Sequence, residues 1–427
     1  MDRTSRVDVS TVSMANDQAK YGLPTATPES TGISAERLAR IAPVMHRYIE
    51  QGQIPSLLTV VARHGHTVHY SVQGHADVES DQQLRFDTIF RLYSMTKPIT
   101  AVATMVAYEE GHFFLDDPIA DYLPEFRAMT LWTPEGLVDA RKPITIRNLL
   151  THTAGLTYSM VPDVPAISKL YEDANINEVL ARLSGRTLAD HVHMLSELPL
   201  IAEPNTAWHY SESFSVLARL IEVVSGQSYD EYLRARLFRP LGMSDTDYHV
   251  PPDKQHRLAT LYARQSDGSF TPTLSYGGDY GRPPDLVAGG AGLAGTAGDY
   301  LKFAQMLLNG GALNGERIVS PSSVRVLLAN QLGTKFGSTP LPSVGTFSFR
   351  GTGFGFGGGV VTDVIASGTT GSKGEYFWGG WASTAFWIDP VQNLIGMAFS
   401  QLIPSPGEVL SLRARMHQMT YQAIEQG

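Results

Sequence analysis

The stretch Phe90-Arg91-Leu92-Tyr93-Ser94-Met95-Thr96-Lys97-Pro98-Ile99-Thr100 constrains this chain more than any other. It reads as the end of an apolar strand turning into a helix, with a serine at the turn. From Pro98 onward Ile99, Val102, Ala103, Val106 and Ala107 recur at helical spacing. That predicts a helix to about Glu110, with Gly111 as its stop. Proline is tolerated only in a helix's first turn, where its missing N–H has no partner to lose. Ser94 is therefore expected at or just before the helix N-terminus, and Lys97 within the first turn. Residues three apart share a helix face with Cβ atoms roughly 5–6 Å apart, so the ammonium can reach the hydroxyl.

A serine hydroxyl is a poor nucleophile until a neighbouring base takes its proton. Lysine can be that base if burial or nearby positive charge lowers its pKa, and a helix N-terminus supplies some of that potential. Taken alone, Ser-x-x-Lys reads equally well as a capping serine followed by a surface lysine.

Composition narrows the classes. A chain of 427 residues exceeds one small core, so two lobes are expected. Hydrophobic residues at 43% and charged residues at 18% describe an ordinary soluble globular protein. A net charge of −9 argues against a nucleic-acid or anionic-membrane partner. The absence of cysteine excludes disulfides, thiol nucleophiles and thiolate metal sites. No apolar window is long enough to span a bilayer, and the first residues lack the apolar core of a secretory signal. A cytoplasmic location is expected, with residues 1–20 as a polar arm.

Along the chain, residues 34–51 predict a helix with Leu38, Ile41, Met45 and Ile49 as its apolar stripe, which Pro43 should kink or delay. Residues 57–62 and 67–72 form a predicted hairpin across His64-Gly65-His66. His64, His66 and His69 read as solvent-facing turn histidines rather than a metal site, because hairpin residues alternate faces. No metal or cofactor is expected. Prolines 124, 134, 143, 162 and 165 punctuate a middle region of short helical pieces. His152 reads as a general base or, equally, as a hydrogen-bonded structural histidine. Tyr210 falls on a loop opening a helix through Phe214, Leu217, Leu220, Ile221 and Val224, where a tyrosine points into a cleft or is buried structurally.

Gly353, Gly355 and Gly358 form a nominal G-x-G-x-x-G without a framing strand and helix, so glycine-rich strand edges against a helix are the better reading. Residues 377–388 predict one strand with two glycines near its start. Residues 389–393 turn it into an antiparallel neighbour at 394–399. A last helix presents Val409, Leu412, Met416, Met419 and Ala423. The expected fold is α/β (α+β): an antiparallel sheet flanked by helices from residues 21–115 and 286–427. Residues 116–285 form a helix-rich second domain, with a ligand cleft between the two.

Four stretches together resemble the serine β-lactamase and penicillin-binding-protein superfamily, in particular its class C-like branch of family VIII carboxylesterases and acyltransferases. Ser94-Met95-Thr96-Lys97 is similar to that family's S-x-x-K. Leu149-Leu150-Thr151-His152-Thr153-Ala154-Gly155-Leu156 resembles its L-L-T-H-T-S-G-L. Tyr210-Ser211-Glu212 matches its Y-x-N with glutamate for asparagine. Trp378-Gly379-Gly380 stands at the K-T-G strand, in the W-G-G form of the esterase branch. The resemblance runs from about residue 31 to the C-terminal helix.

It implies acyl transfer through an acyl-serine on Ser94, with Lys97 and Tyr210 sharing the proton work and either one as the base. It implies an oxyanion hole from the backbone N–H groups of Ser94 and Trp381. Trp378, Gly379 and Gly380 would line the substrate, the glycines allowing its close approach to the strand. Trp378 for lysine removes a cation, and Glu212 for asparagine adds an anion, so a neutral ester should bind better than an anionic β-lactam. A carboxylesterase acting on small neutral esters is the expected activity. Acyl transfer to an alcohol, weak β-lactamase action, and a non-catalytic binding or assembly role are the alternatives. No G-x-S-x-G is present, which disfavours an α/β-hydrolase.

Overall fold

The computed structural model describes residues 21–159, 165–275, 277–333, 350–403 and 407–426, residues 407–411 by their helix alone. The expected arm at 1–20, the loop signal at Pro162 and the side chain of Val409 lie outside the described residues.

Eight strands make the main sheet: β1 Ser56–Arg63, β2 His66–Asp77, β3 Gln82–Gln83, β4 Thr352–Phe354, β5 Gly359–Val361, β6 Tyr376–Gly380, β7 Thr384–Asp389 and β8 Leu394–Phe399. Their spatial order is β4-β5-β6-β7-β8-β1-β2-β3, antiparallel between every pair of neighbours, so strands from both ends of the chain meet where β8 pairs with β1. The helices that matter here are α1 Ile41–Glu50, α2 Thr96–Glu109, α3 Leu188–Ser196, α4 Ser213–Ser225, α5 Ala297–Leu308 and α6 Gly407–Tyr421.

Both faces of the sheet are covered, which explains why β1, β7 and β8 are buried along their whole length. Leu58, Val60 and Ala62 of β1, with Phe386, Ile388, Ile395, Met397 and Phe399, enter the core shared with α2, α4 and α5. The alternate residues Leu57, Val61, Trp387, Leu394 and Ala398 pack in a second core with Ile41 and Met45 of α1 and Met416 of α6. Pro43 acts as expected. The N-terminal helical stretch is split into Ala35–Leu38, capped by the Ser34 hydroxyl, and α1, where Pro43 falls in the first turn.

Two expectations are corrected. His69 does not face solvent: it is half-buried on β2, with Nε2 2.8 Å from Thr59 Oγ1 on β1. The cross-strand threonine gives the imidazole a partner, so it stays against the sheet. Residues 377–388 are two antiparallel strands rather than one. The chain reverses at Trp381-Ala382-Ser383, where Ser383 takes φ +69° and its hydroxyl donates to Leu402 O at 2.8 Å. No proline or asparagine marks this turn, and a tertiary hydrogen bond stabilises it instead.

The middle region carries strands as well as helices. Thr130–Thr133 pairs with Gly136–Asp139, and Tyr262–Arg264 lies between Phe270–Pro272 and Leu402–Ile403. The glycine-rich stretch from Gly353 to Gly359 is the β4–β5 hairpin at the sheet edge, closed by Gly355 N–H to Gly358 O at 2.8 Å. A Cβ on Gly357 would lie 2.9 Å from Lys97 O, so the hairpin tip packs on the start of α2.

Candidate active site

Between Thr88 and Ala107 every residue is buried except Ser94. The segment Ile89–Arg91 pairs with Ala294–Thr296 and delivers the chain to a 3-10 turn, Tyr93–Met95, that runs directly into α2. Tyr93 adopts φ +46°, a conformation that costs a bulky residue about 1–3 kcal/mol and is characteristic of functional turns. The turn tips the Ser94 side chain out of the core that its neighbours fill.

Lys97 follows one helical turn later and is almost wholly buried. Its ammonium lies 3.4 Å from Ser94 Oγ and donates to Gly290 O at 2.8 Å. Its third direction points to Glu178, whose Oε1 is 3.9 Å away. The Tyr210 hydroxyl reaches Ser94 Oγ at 2.7 Å, and Lys97 Nζ sits 4.5 Å from the Tyr210 ring centroid. Ser94 and Lys97, three residues apart, thus share one hydrogen-bonded cluster with Tyr210, 116 residues from Ser94.

The L-L-T-H-T-A-G-L stretch frames Tyr210. His152 O accepts from His209 N at 2.9 Å, Thr153 O from Asn205 N at 2.8 Å, and Thr157 O from Glu212 N at 3.4 Å. His152 is fully buried, 3.0 Å from the Ser211 hydroxyl, with its ring against those of Tyr210, Phe214 and Phe354. Burial, and then the Lys97 charge, hold its imidazole well below the ordinary histidine range. Of the two readings of His152, the structural one fits.

The W-G-G strand closes the other side. The end of β6 lies against the Ser94 turn so tightly that a Cβ on Gly380 would collide with Leu92 O. Gly380 is thus required for strand-to-turn contact. The Trp381 ring stands edge-on to Tyr93, centroids 6.1 Å apart, at the first residue of the reversal. Gly379 is half-buried on the same strand. The Trp378 ring is buried between Tyr210 and Phe354, at 5.7 and 5.3 Å. An apolar plane therefore backs Tyr210 where the resemblance would put a cation.

Glu212 is a correction. The substitution for asparagine is expected to add an anion at the site, but the Glu212 side chain is fully buried at the start of α4. It accepts from Glu178 N at 3.1 Å and lies 3.4 Å from His191 Nε2 on α3. Burial and the Glu178 carboxylate raise its carboxyl to about 6, against the pull of His191. An acid raised on folding is stabilising while protonated, and that contribution is lost as pH rises from about 4.5 through 6. Glu212→Gln keeps the acceptor and removes the titration. The stability of wild type relative to this variant should therefore fall between pH 4.5 and 6, by roughly 1–2 kcal/mol, in paired thermal unfolding series. A pH-independent difference would contradict this placement of the charge.

Glu178 escaped the sequence reading. It follows a polar stretch with no motif, Asn175-Ile176-Asn177, and the Asn177 side chain caps the next turn through the N–H groups of Val179 and Leu180. That cap turns Glu178 inward. Among the described residues no cluster of histidines and carboxylates has the makings of a metal site, and no helix is long and apolar enough to cross a membrane.

The family model for Beta-lactamase matches residues 41–419. The chain belongs to the beta-lactamase family. It is a serine hydrolase by that membership, and its antiparallel sheet flanked by helices is the fold of this family. Esterase EstB of Burkholderia gladioli is 30% identical over 379 residues, covering 84% of this chain and 89% of EstB. Lovastatin esterase of Penicillium rubens is 27% identical over 371 residues, covering 81% and 88%. Among solved structures, EstCE1, a hydrolase with promiscuous acyltransferase activity, superposes with a TM-score of 0.76 at 27% identity, over 90% of this chain and 99% of its own.

Proposed function

We propose that the protein is a carboxylesterase that cleaves small neutral esters through an acyl-enzyme on Ser94. The observation that carries this reading is the contact of one half-exposed hydroxyl with both a tyrosine, at 2.7 Å, and a lysine ammonium, at 3.4 Å. Ser94 Oγ attacks the ester carbonyl carbon while its proton passes to the Tyr210–Lys97 unit. That proton goes on to the alkoxy oxygen as the carbon–oxygen bond breaks and the alcohol leaves. Water then attacks the acyl carbon, gives its proton to the same unit, and the acid departs as Ser94 Oγ regains a proton. The N–H groups of Ser94 and Trp381 are assigned to the developing oxyanion, a role supported by the seating of β6 against the Ser94 turn. Trp378, Gly379 and Gly380 are assigned to the substrate-lining strand. Ser94 and Lys97 come from the segment 21–115, Tyr210 and Glu178 from 116–285, and Gly290 and the W-G-G strand from 286–427, which supports a cleft between two domains with those bounds.

Preference for neutral esters rests on Trp378. With an indole in place of a cation, nothing at that strand pairs with the carboxylate of a penicillin. The specificity constant for a nitrophenyl ester should exceed that for a penicillin measured in one buffer. A penicillin that equals the ester would refute the charge argument. A second reading, acyl transfer to an alcohol, is supported by the likeness to EstCE1. Added alcohol should then divert acyl groups from acid to a new ester in product analysis.

A further inference from the structure

Glu178 is buried behind Lys97 as seen from Ser94, and both oxygens of its side chain are hydrogen-bonded. Oε1 accepts from the Tyr158 hydroxyl at 2.7 Å, and Oε2 accepts from Ser215 Oγ at 2.5 Å and from Gly290 N at 3.1 Å. A side chain at position 290 would collide with this carboxylate. Gly290 therefore gives its N–H to Glu178 and its carbonyl to Lys97, 2.8 Å away, and so ties the two together. The carboxylate with its charge nearest to Lys97 is Glu178, at 3.9 Å from Nζ, both side chains being about 1% exposed.

We propose that Glu178 is a positioning residue that holds Lys97 as an ammonium stationed between Ser94 and Gly290. This rests on the acyl-serine reading above. A buried cation is costly without a partner, and Glu178 is that partner. The Lys97–Tyr210 unit, one proton short, has two arrangements: ammonium with tyrosinate, or amine with phenol. A carboxylate at ion-pair distance from the nitrogen, 3.9 Å, favours the ammonium. The other charged or titratable groups facing this cluster are Tyr158 from the loop after His152, Glu212 at the start of α4, His191 on α3, and buried His152. Tyr229 and Tyr248 also feel the Glu178 charge. Burial and the Glu178 and Glu212 charges hold Tyr158 well above the ordinary tyrosine range, so it stays a donor to Glu178.

The test is the pH profile of kcat/KM for Glu178→Gln and Glu178→Asp on one ester. Removing the carboxylate makes the charged form of Lys97 less favourable. The acid limb of Glu178→Gln should therefore move to lower pH by about one unit, with turnover reduced roughly 10–100-fold. Glu178→Asp keeps the charge and should retain the wild-type limb. A slower Glu178→Gln enzyme with an unmoved limb would overturn the proposal in favour of a merely structural carboxylate. A measurement on the unaltered chain guards against misfolded variants: the side-chain 13C resonances of Lys97, identified by their loss in Lys97→Met. They should report an ammonium at the pH of full activity, and an amine there would overturn the proposal. Phosphonate labelling of wild-type Ser94 tests the acyl-serine reading separately.

Discussion

Ser94→Ala is expected to abolish ester turnover, to a level at least several orders of magnitude below wild type, while the thermal midpoint should move by only a few degrees. The catalytic loss is large because no other hydroxyl occupies the position 2.7 Å from Tyr210 and 3.4 Å from Lys97. The stability effect is small for a local reason. Ser94 is half-exposed and makes no capping bond to α2, whose N-cap, Met95, has no side-chain hydrogen bond. Loss of its hydroxyl is thus worth about 1 kcal/mol or less. Paired kinetics and thermal melts check both halves of the expectation. Retained turnover would move the nucleophile elsewhere.

Lys97→Met and Tyr210→Phe should each lower turnover by roughly two to four orders of magnitude, and the double variant should be little worse than the poorer single. The geometry gives the reason. Both groups contact the same Ser94 oxygen, and Lys97 Nζ lies over the Tyr210 ring at 4.5 Å, so each sets the protonation of the other. Losing either already stops proton transfer. Phenylalanine keeps the packing of the Tyr210 ring against His152, Tyr158 and Trp378, and methionine keeps most of the lysine stem. The kinetics then report chemistry rather than collapse. Multiplicative losses in folded variants would mean that the two residues act independently. A near-normal Tyr210→Phe would return Tyr210 to a structural role.

The parts of this molecule legible in its sequence are those where local chemistry and tertiary need agree. The strand, serine turn and helix at 90–110 were readable because Pro98, the apolar spacing and Gly111 all point to one arrangement. Pro43 likewise marks the break that splits the first helical stretch. The sheet's alternation was hidden, since both faces are buried and β1 reads as a continuous apolar run. The reversal at Trp381–Ser383 was illegible because Ser383 is held in its left-handed conformation by Leu402 O, nineteen residues on. Glu212 was visible as a residue but not in its direction: an α4 start packed against α3 carries it inward. Glu178 lacked any signal of its own. What makes it part of the site is the convergence of Tyr158, Ser215, Gly290 and Lys97 from four separate segments.

The acyl-serine at Ser94 is tested most directly by mass spectrometry of the unaltered protein after brief exposure to an activated ester, and separately to a serine-directed phosphonate. Each reagent should add one acyl or phosphonyl mass, and peptide fragmentation should place it on Ser94 within Tyr93-Ser94-Met95-Thr96-Lys97. Ser94→Ala should take up neither. An adduct on any other residue, or ester turnover by a protein whose Ser94 is never modified, would contradict the account.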